Sequence, residues 1–164
     1  MPYSAYVPCF NNATTVGQAL SSLISQVPPP DELLLIDDAS LDNSSSIGKQ
    51  QGAIVINLGL NSGRGAVRAM AMENAHHDFV VCCDATLYLP NNYVSRALDW
   101  FADDRVAAVC GPISQANAKS LSDRWRGRHL YKTGDRATFQ RNAQLSTGAC
   151  VVRRTAVLEV GNFN

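Results

Sequence analysis

The chain has 164 residues, 46% of them hydrophobic, and its 14 Lys and Arg residues balance its 14 Asp and Glu residues. This length and composition suit one globular domain with its own core and exclude a disordered or fibrous protein. The balanced charge excludes nucleic-acid binding that relies on bulk attraction to phosphate, so we predict no nucleic-acid partner.

The cysteines and the hydropathy pattern bear on location. The five cysteines are odd in number, lie in or beside apolar runs and show no CxxC or metal-ligand spacing. These features are typical of buried free thiols in a reducing compartment. The sequence shows no secretory signal and no apolar run near the roughly eighteen residues that a membrane span needs. We therefore expect a cytoplasmic protein.

Apolar runs alternate with amphipathic segments along the chain. They predict strands at 5–7, 32–36, 53–57, 79–83 and 106–110, and helices at 14–26, 42–51, 62–75 and 91–102. Continuous apolar strands that alternate with helices are typical of an α/β fold, with a mostly parallel central sheet and helices on both faces. In such sheets the ligand lies beyond the carboxyl ends of the strands.

Two predicted strands run directly into acidic residues. Asp37 and Asp38 follow the strand 32–36, and Asp84 follows the strand 79–83. Taken singly, each acid is better explained as a turn residue or helix cap, by about two to one. Because all three fall on the ligand edge of one sheet, we interpret them together as a binding site. Carboxylates there can hold a metal ion, accept from a nucleobase N–H or receive a phosphoryl group.

The last of these chemistries leaves an alternative function, a phospho-receiver signalling domain or an inactive nucleotide-binding module. A receiver also carries an acidic pair and a later phosphorylatable Asp at strand ends. However, its acidic pair follows its first strand, whereas here a strand and a helix precede Asp37, and no Lys-Pro follows at the expected strand end. The place of residues 5–7 in the sheet discriminates between the two interpretations.

Five segments resemble the motifs of the family 2 glycosyltransferases, which have the GT-A fold. They are VPCFNN from Val7, LLLIDDASLDNS from Leu33, NLGLNSGRGAVRAM from Asn57, DFVVCCDATLYLPNNYV from Asp78 and STGACVVRRTAVLEVGNFN from Ser146. Each is weak alone, but five in the right order and spacing form a specific signal over nearly the whole chain. The resemblance implies a Rossmann-like GT-A domain over 1–164, with a donor-binding half at 1–112 and an acceptor-side half that begins at 113–164.

The resemblance also implies an activity. It is the inverting transfer of a sugar from a nucleotide-diphospho-sugar, which we expect to be a UDP-sugar, to a saccharide or lipid-linked acceptor in polysaccharide or cell-envelope glycan synthesis. Peripheral association of the full-length enzyme with the inner face of the membrane is part of the same expectation. A basic and aromatic cluster falls on the acceptor side, where arginines can meet lipid-linked phosphates, although a solvated helix face explains it equally well. Its members are Trp125, Arg126, Arg128 and His129.

The same resemblance assigns the residues that bind the donor. They follow predicted strands or begin a helix: Pro8, Phe10, Asn11, Asp38, Arg64, Asp84, Ala85 and Thr86. Asp38 would accept from the uracil N–H, a task that suits a carboxylate. Arg64 would bind near the nucleotide or brace Asp38, and a solvated residue in the first turn of a helix explains it equally well. Asp84 would face the ribose and the metal region.

The chain departs from the family pattern at the metal site. In the family the position of Asp84 begins a DxD motif, with a second acid at the second or third place, and these places hold Ala85 and Thr86 here. A threonine hydroxyl brings no charge and is a poor ligand for a hard divalent ion. We therefore expect Mn²⁺ or Mg²⁺ to bind weakly at most, through Asp84.

A second departure concerns catalysis. The family's catalytic base is an aspartate just beyond the segment in which this chain ends, at Asn164. No residue of the chain takes that position, so the catalytic residue lies outside it, and we expect an incomplete domain that binds a donor and transfers poorly. A core face left uncovered by absent elements would favour homo-oligomers.

Overall fold

One sheet of six strands organises the part of the chain that the computed structural model describes, residues 1–113, 120–122, 124–125 and 146–163. The strands, in chain order, are β1 (Tyr3–Cys9), β2 (Glu32–Asp37), β3 (Ile54–Asn57), β4 (Phe79–Cys83), β5 (Ala108–Cys110) and β6 (Ala149–Arg153). Across the sheet their order is β3-β2-β1-β4-β6-β5. The strands β1 to β4 run parallel, and β6 is antiparallel to both of its neighbours. The prediction of a mostly parallel sheet is confirmed.

The helices of the described residues lie close to their predicted segments. They are α1 (Val16–Ile24), α2 (Ser44–Gln50), α3 (Gly63–Asn74), α4 (Tyr93–Leu98), a 3₁₀-helix (Asp99–Ala102) and α5 (Arg154–Glu159). The first three are shorter than predicted at both ends, and the predicted helix 91–102 is α4 continued by the 3₁₀-helix. The strand β6 and the helix α5 were not predicted, because the alternation of apolar runs does not reach residues 146–163.

Side chains of the central strands enter two cores, one on each face of the sheet. Ala5, Val7 and Leu35 are buried with apolar residues of α1, α2 and α4. Tyr6 and Leu34 are buried on the opposite face with residues of α3 and α5. Successive side chains of a strand point to opposite faces, so a strand covered on both sides has to be apolar at every position. This explains the unbroken apolar sequence FVVCC of β4, and it confirms helices on both faces.

Helix α1 shows how the sequence produces one of these layers. Val16, Ala19, Leu20 and Leu23 recur at helical spacing, and each is 0% exposed. The opposite side of the helix faces solvent. Since truncation of a buried Leu to Ala typically costs about 2–5 kcal/mol, this single stripe accounts for much of the stability of the layer.

The position of β1 decides between the two functional interpretations. β1 lies between β2 and β4, so the chain first builds the sheet outward through β2 and β3 and then returns to place β4 on the other side of β1. The acids that follow β2 and β4 are therefore separated by a whole strand. In a receiver domain the acidic pair follows the first strand, so this topology rejects the receiver interpretation. A ligand crevice is expected where the strand order reverses, at the carboxyl ends of β1 and β4. No helix among the described residues is long and apolar enough to cross a bilayer.

Candidate functional site

An open cleft of about 280 Å³ lies at the carboxyl ends of β1, β2 and β4, beside the first turns of α3. Its described lining residues are Pro8, Cys9, Phe10, Asn12, Asp38, Arg64, Val67, Arg68, Asp84, Ala85 and Thr86. The place in the fold is the one expected from the reversal of strand order. The structure thus brings together all the predicted donor-site residues except Asn11.

The face of the sheet that each strand end presents explains this grouping. Leu34 and Ile36 of β2 are buried on the side of α3, and Asp38 continues their alternation. Val80 and Cys82 of β4 lie on the same side, and Asp84 continues theirs. Because side chains two apart point the same way, both acids emerge on the face that α3 covers.

Asp38 joins the end of β2 to the start of α3. It is 4% exposed, its Oδ1 accepts from the Ser62 N–H at 2.7 Å, and its Oδ2 accepts from the Gly63 N–H at 3.0 Å. These N–H groups begin a helix and would otherwise lack partners. The negative charge is also favourable beside the positive end of the helix dipole. Each oxygen keeps a second lone pair, so Asp38 can still accept a bond from a ligand N–H at the cleft.

Asp37 has a different environment from its neighbour. Its carboxylate accepts hydrogen bonds from the Ser40 N–H at 3.1 Å and from the hydroxyls of Ser40 and Ser45. It is not among the described lining residues of the cleft. Asp37 therefore stabilises the turn after β2 and ties that turn to α2, which is the structural role that the sequence allowed for each acid taken singly.

Asp84 forms an ion pair with Arg68, a residue of α3 that the sequence analysis did not select. The Arg68 Nη2 donates to Asp84 Oδ1 at 2.8 Å, and the two side chains are 8% and 35% exposed. Arg68 also donates through Nη1 to the Arg64 carbonyl at 3.2 Å. Burial raises the pKa of the Asp84 carboxyl above its ordinary value, although the Arg68 and Arg64 guanidinium groups lower it in part. The carboxylate therefore keeps a demand for a further hydrogen-bond donor.

A signal for Arg68 was present in the sequence. It follows Arg64 by four residues, which places both arginines on one face of α3. It also stands among apolar residues in GAVRAMAM, next to the buried Val67 and close to the buried Ala71. A long charged side chain is seldom buried unless it is paired, so an arginine in that stripe indicates a buried carboxylate opposite it.

Gly148, which immediately precedes β6, shapes the other side of Asp84. The Asp84 N–H donates to the Gly148 carbonyl at 2.8 Å. A Cβ at position 148 would lie 3.2 Å from Asp84 Oδ2 and 3.3 Å from Leu87 Cδ1. Glycine thus leaves Oδ2 the space that a larger residue would restrict. The sequence analysis quoted this segment without assigning Gly148 to the site.

The remaining predicted residues differ in exposure. Phe10 is 47% exposed at the mouth of the cleft, and Arg64 and Thr86 are exposed, whereas Ala85 is 4% exposed. Asn11 lies outside the described lining. Its Oδ1 accepts from the Leu41 N–H at 2.8 Å, and its own N–H donates to Ser40 Oγ at 2.9 Å, so it holds the loops after β1 and β2 together.

A divalent cation, which the family resemblance implies, does not fit the described donor set. One oxygen of Asp84 already pairs with a guanidinium, and Ala85 and Thr86 supply no second carboxylate. An ion placed against Asp84 would also be repelled by Arg68. Among the residues that the structure describes, no group of three or more His, Cys, Asp and Glu side chains could hold a metal ion.

The basic and aromatic cluster is described in part. Trp125 is 56% exposed. Arg126, Arg128 and His129 lie outside the described residues, and so does much of the predicted acceptor-side half.

Comparison with known sequences gives a family and several relatives. The model of the family described as Glycosyl transferase family 2 matches residues 4–161. The poly-beta-1,6-N-acetyl-D-glucosamine synthase of Staphylococcus epidermidis is 26% identical over 123 residues, which cover 72% of this chain and 30% of that protein. The poly(ribitol-phosphate) beta-glucosyltransferase of Bacillus spizizenii is 25% identical over 129 residues, which cover 74% of this chain and 20% of that protein. The chain thus spans less than a third of either relative.

Comparison with solved structures identifies the fold. A mannosyltransferase of Pyrobaculum calidifontis in complex with GDP-Man and Mn²⁺ matches with a TM-score of 0.76 and 20% identity, over 99% of this chain and 47% of that one. S. aureus TarS in complex with UDP-GlcNAc matches with a TM-score of 0.74 and 19% identity, over 99% of this chain and 48% of that one. The predicted GT-A fold is confirmed.

Proposed function

The chain belongs to glycosyl transferase family 2, and we propose that it binds a nucleotide-diphospho-sugar, in particular a UDP-sugar, in the cleft at the ends of β1, β2 and β4. The observation that carries this proposal is the convergence of Asp38, Arg64 and Asp84 on that cleft from three separate segments. The donor-binding half is then formed by residues 1–112.

The geometry suggests how the parts of the donor are recognised. A pyrimidine ring placed against Pro8 and the half-exposed Phe10 would bring its N–H toward the free lone pairs of Asp38. The open Oδ2 of Asp84 can accept from a ribose hydroxyl, which satisfies the demand that burial creates. Arg64, exposed in the first turn of α3, can donate to a phosphate oxygen, and guanidinium groups suit phosphate because they donate two parallel hydrogen bonds.

For the complete enzyme we propose transfer with inversion to a saccharide or lipid-linked acceptor in polysaccharide or cell-envelope glycan synthesis. The two relatives support this class, since one is named for a polymer of N-acetylglucosamine and the other for a poly(ribitol-phosphate). Inversion requires a base that takes the proton of the acceptor hydroxyl. Asp37, Asp38 and Asp84 are engaged by a turn, a helix start and an arginine, so we assign the described part of the chain to donor binding.

Calorimetric titration of the chain with UDP, GDP and ADP tests the proposal. We expect UDP to bind more tightly than either purine nucleotide, because the uracil N–H complements the Asp38 carboxylate. Substitution Asp38→Ala should remove the preference, since the buried N–H of the base then lacks an acceptor at a cost of roughly 1–3 kcal/mol. Equal affinity of the unaltered chain for all three nucleotides would contradict the assignment of a UDP-sugar.

A further inference from the structure

We propose that Arg68 takes the place of a divalent cation in this cleft, so that the chain binds a nucleoside diphosphate without a metal ion. The inference rests on the proposed function, because it concerns the same cleft and the same ligand class. It starts from the disagreement between the metal implied by the family and the donor set that the described residues provide.

The first argument is the position of the guanidinium. Arg68 Nη2 lies 2.8 Å from Asp84 Oδ1, the carboxylate that would begin a DxD motif. The arginine side chain is 8% exposed, so this contact is screened little by water. A guanidinium is always protonated in proteins, which makes it a permanent cation at this point of the cleft.

The second argument is that Arg68 has hydrogen-bonding capacity left over. Two of its nitrogens donate to Asp84 and to the Arg64 carbonyl, and its buried Nε has no hydrogen-bond partner. An unsatisfied buried donor is unfavourable. An anionic oxygen that enters the cleft beside Val67 and Arg68 supplies the missing acceptor, whereas a cation supplies none.

The third argument is the balance of charge along the cleft. Among its described lining residues, the charges of Arg64 and Arg68 equal those of Asp38 and Asp84. Asp38 is already compensated by the Ser62 and Gly63 N–H groups and by the positive end of α3. The charge of a diphosphate therefore faces two guanidinium groups four residues apart on one helix face, and needs no ion to bridge it to the protein.

The test is calorimetric titration of the chain with UDP in EDTA and again in excess Mn²⁺. We expect dissociation constants that agree within about twofold, because the ion adds no interaction that Arg68 does not already provide. UDP binding that is at least about tenfold tighter in Mn²⁺ would overturn the inference while leaving the donor-site proposal intact. Absence of UDP binding in both solutions would overturn the donor-site proposal and this inference with it. This comparison needs no variant.

Three variants sharpen the result. In EDTA, Arg68→Met should weaken UDP binding by about tenfold or more, the usual effect of losing a charge-assisted hydrogen bond. In Mn²⁺ part of that loss should be recovered, because the freed Asp84 becomes available to an ion, a response that a merely structural role of Arg68 would not produce. Arg68→Lys should keep more affinity, and the exposed Arg96→Met on α4 should bind as the unaltered chain does. Unchanged affinity of Arg68→Met in EDTA would overturn the inference.

Discussion

The Gly63 N–H donates to Asp38 Oδ2 at 3.0 Å, so one hydrogen bond connects the end of β2 with the start of α3 across 25 residues of sequence. Gly63 has a φ of 86°, in a region that residues with a side chain rarely adopt. The acid that we assign to the nucleobase therefore also organises the helix that carries both cleft arginines. Its two roles can be separated by measurement.

Substitution Asp38→Ala should lower the free energy of unfolding by about 1–2 kcal/mol, the usual cost of removing a side chain that caps a helix. Asp38→Asn should cost less, because its amide oxygen can still accept one of the two N–H groups. Urea denaturation measures both values. Only the alanine and asparagine changes at this position should also alter the preference for UDP.

Asp42→Ala is the matched control for this prediction. Asp42 accepts from the Ala13 and Ser44 N–H groups at the start of α2, outside the described lining of the cleft. This variant should lose stability and keep the nucleotide preference. If it loses the preference as well, the effect of Asp38→Ala on binding is a consequence of lowered stability.

Substitution Gly148→Ala should weaken UDP binding with little loss of secondary structure. The new methyl group would press on Asp84 Oδ2 and Leu87 Cδ1, and overpacking of this kind costs about 1–3 kcal/mol. If Asp84 moves to relieve the contact, affinity for UDP should fall by about tenfold. Gly59→Ala is the control, since a Cβ there meets nothing within 4 Å. Unchanged binding by Gly148→Ala would show that Oδ2 does not contact the nucleotide.

Substitution Thr86→Asp should introduce a response to metal. It restores a second carboxylate near Asp84 at an exposed position, and carboxylates are the ligands that Mn²⁺ and Mg²⁺ prefer. Titration of the variant with UDP should then show tighter binding in Mn²⁺ than in EDTA. Ser46→Asp adds the same charge to the exposed side of α2 and should show no such response. A Thr86→Asp variant that ignores Mn²⁺ would mean that position 86 does not face the diphosphate.

Glu32 should make stability depend on pH at the opposite end of the sheet. Burial alone would raise the pKa of Glu32, but hydrogen bonds from Ser4 and His76 together lower it below its ordinary value of 4.5. An acid with a lowered pKa contributes stability that is present above its unfolded-state pKa and lost as the pH falls through its folded-state pKa. The unaltered chain should therefore lose stability below pH 4.5.

Substitution Glu32→Gln tests this dependence. At neutral pH it should lower the free energy of unfolding by about 1–3 kcal/mol, because buried donors lose a charged acceptor. The difference from the unaltered chain should shrink as the pH falls below 4.5 in urea unfolding experiments. His77→Ala, which keeps the backbone N–H that donates to Ser4 Oγ, should show a constant difference over the same interval. A constant difference for Glu32→Gln would contradict the role of Glu32.

Much of the architecture could be read from local patterns. Period-two burial makes β1, β2 and β4 apolar along their whole length, and the helical spacing of Val16, Leu20 and Leu23 marks α1. These signals are local because a strand or helix shows its environment in its own residues. The order of the five family motifs carried the fold and the family in the same way. Because parallel strands end at one edge, the sequence also indicated that Asp38 and Asp84 would share a site.

Tertiary structure decided what those acids do. Asp37 and Asp38 are neighbours of the same type, yet one serves the turn beside α2 and the other the start of α3, because successive side chains of a strand leave on opposite faces and different helices cover those faces. The pairing of Arg68 with Asp84 and the space that Gly148 leaves beside it depend on how α3 and β6 pack against β4. Sequence spacing determines periodicity within an element, whereas contacts between elements depend on packing that brings distant residues within a few ångströms.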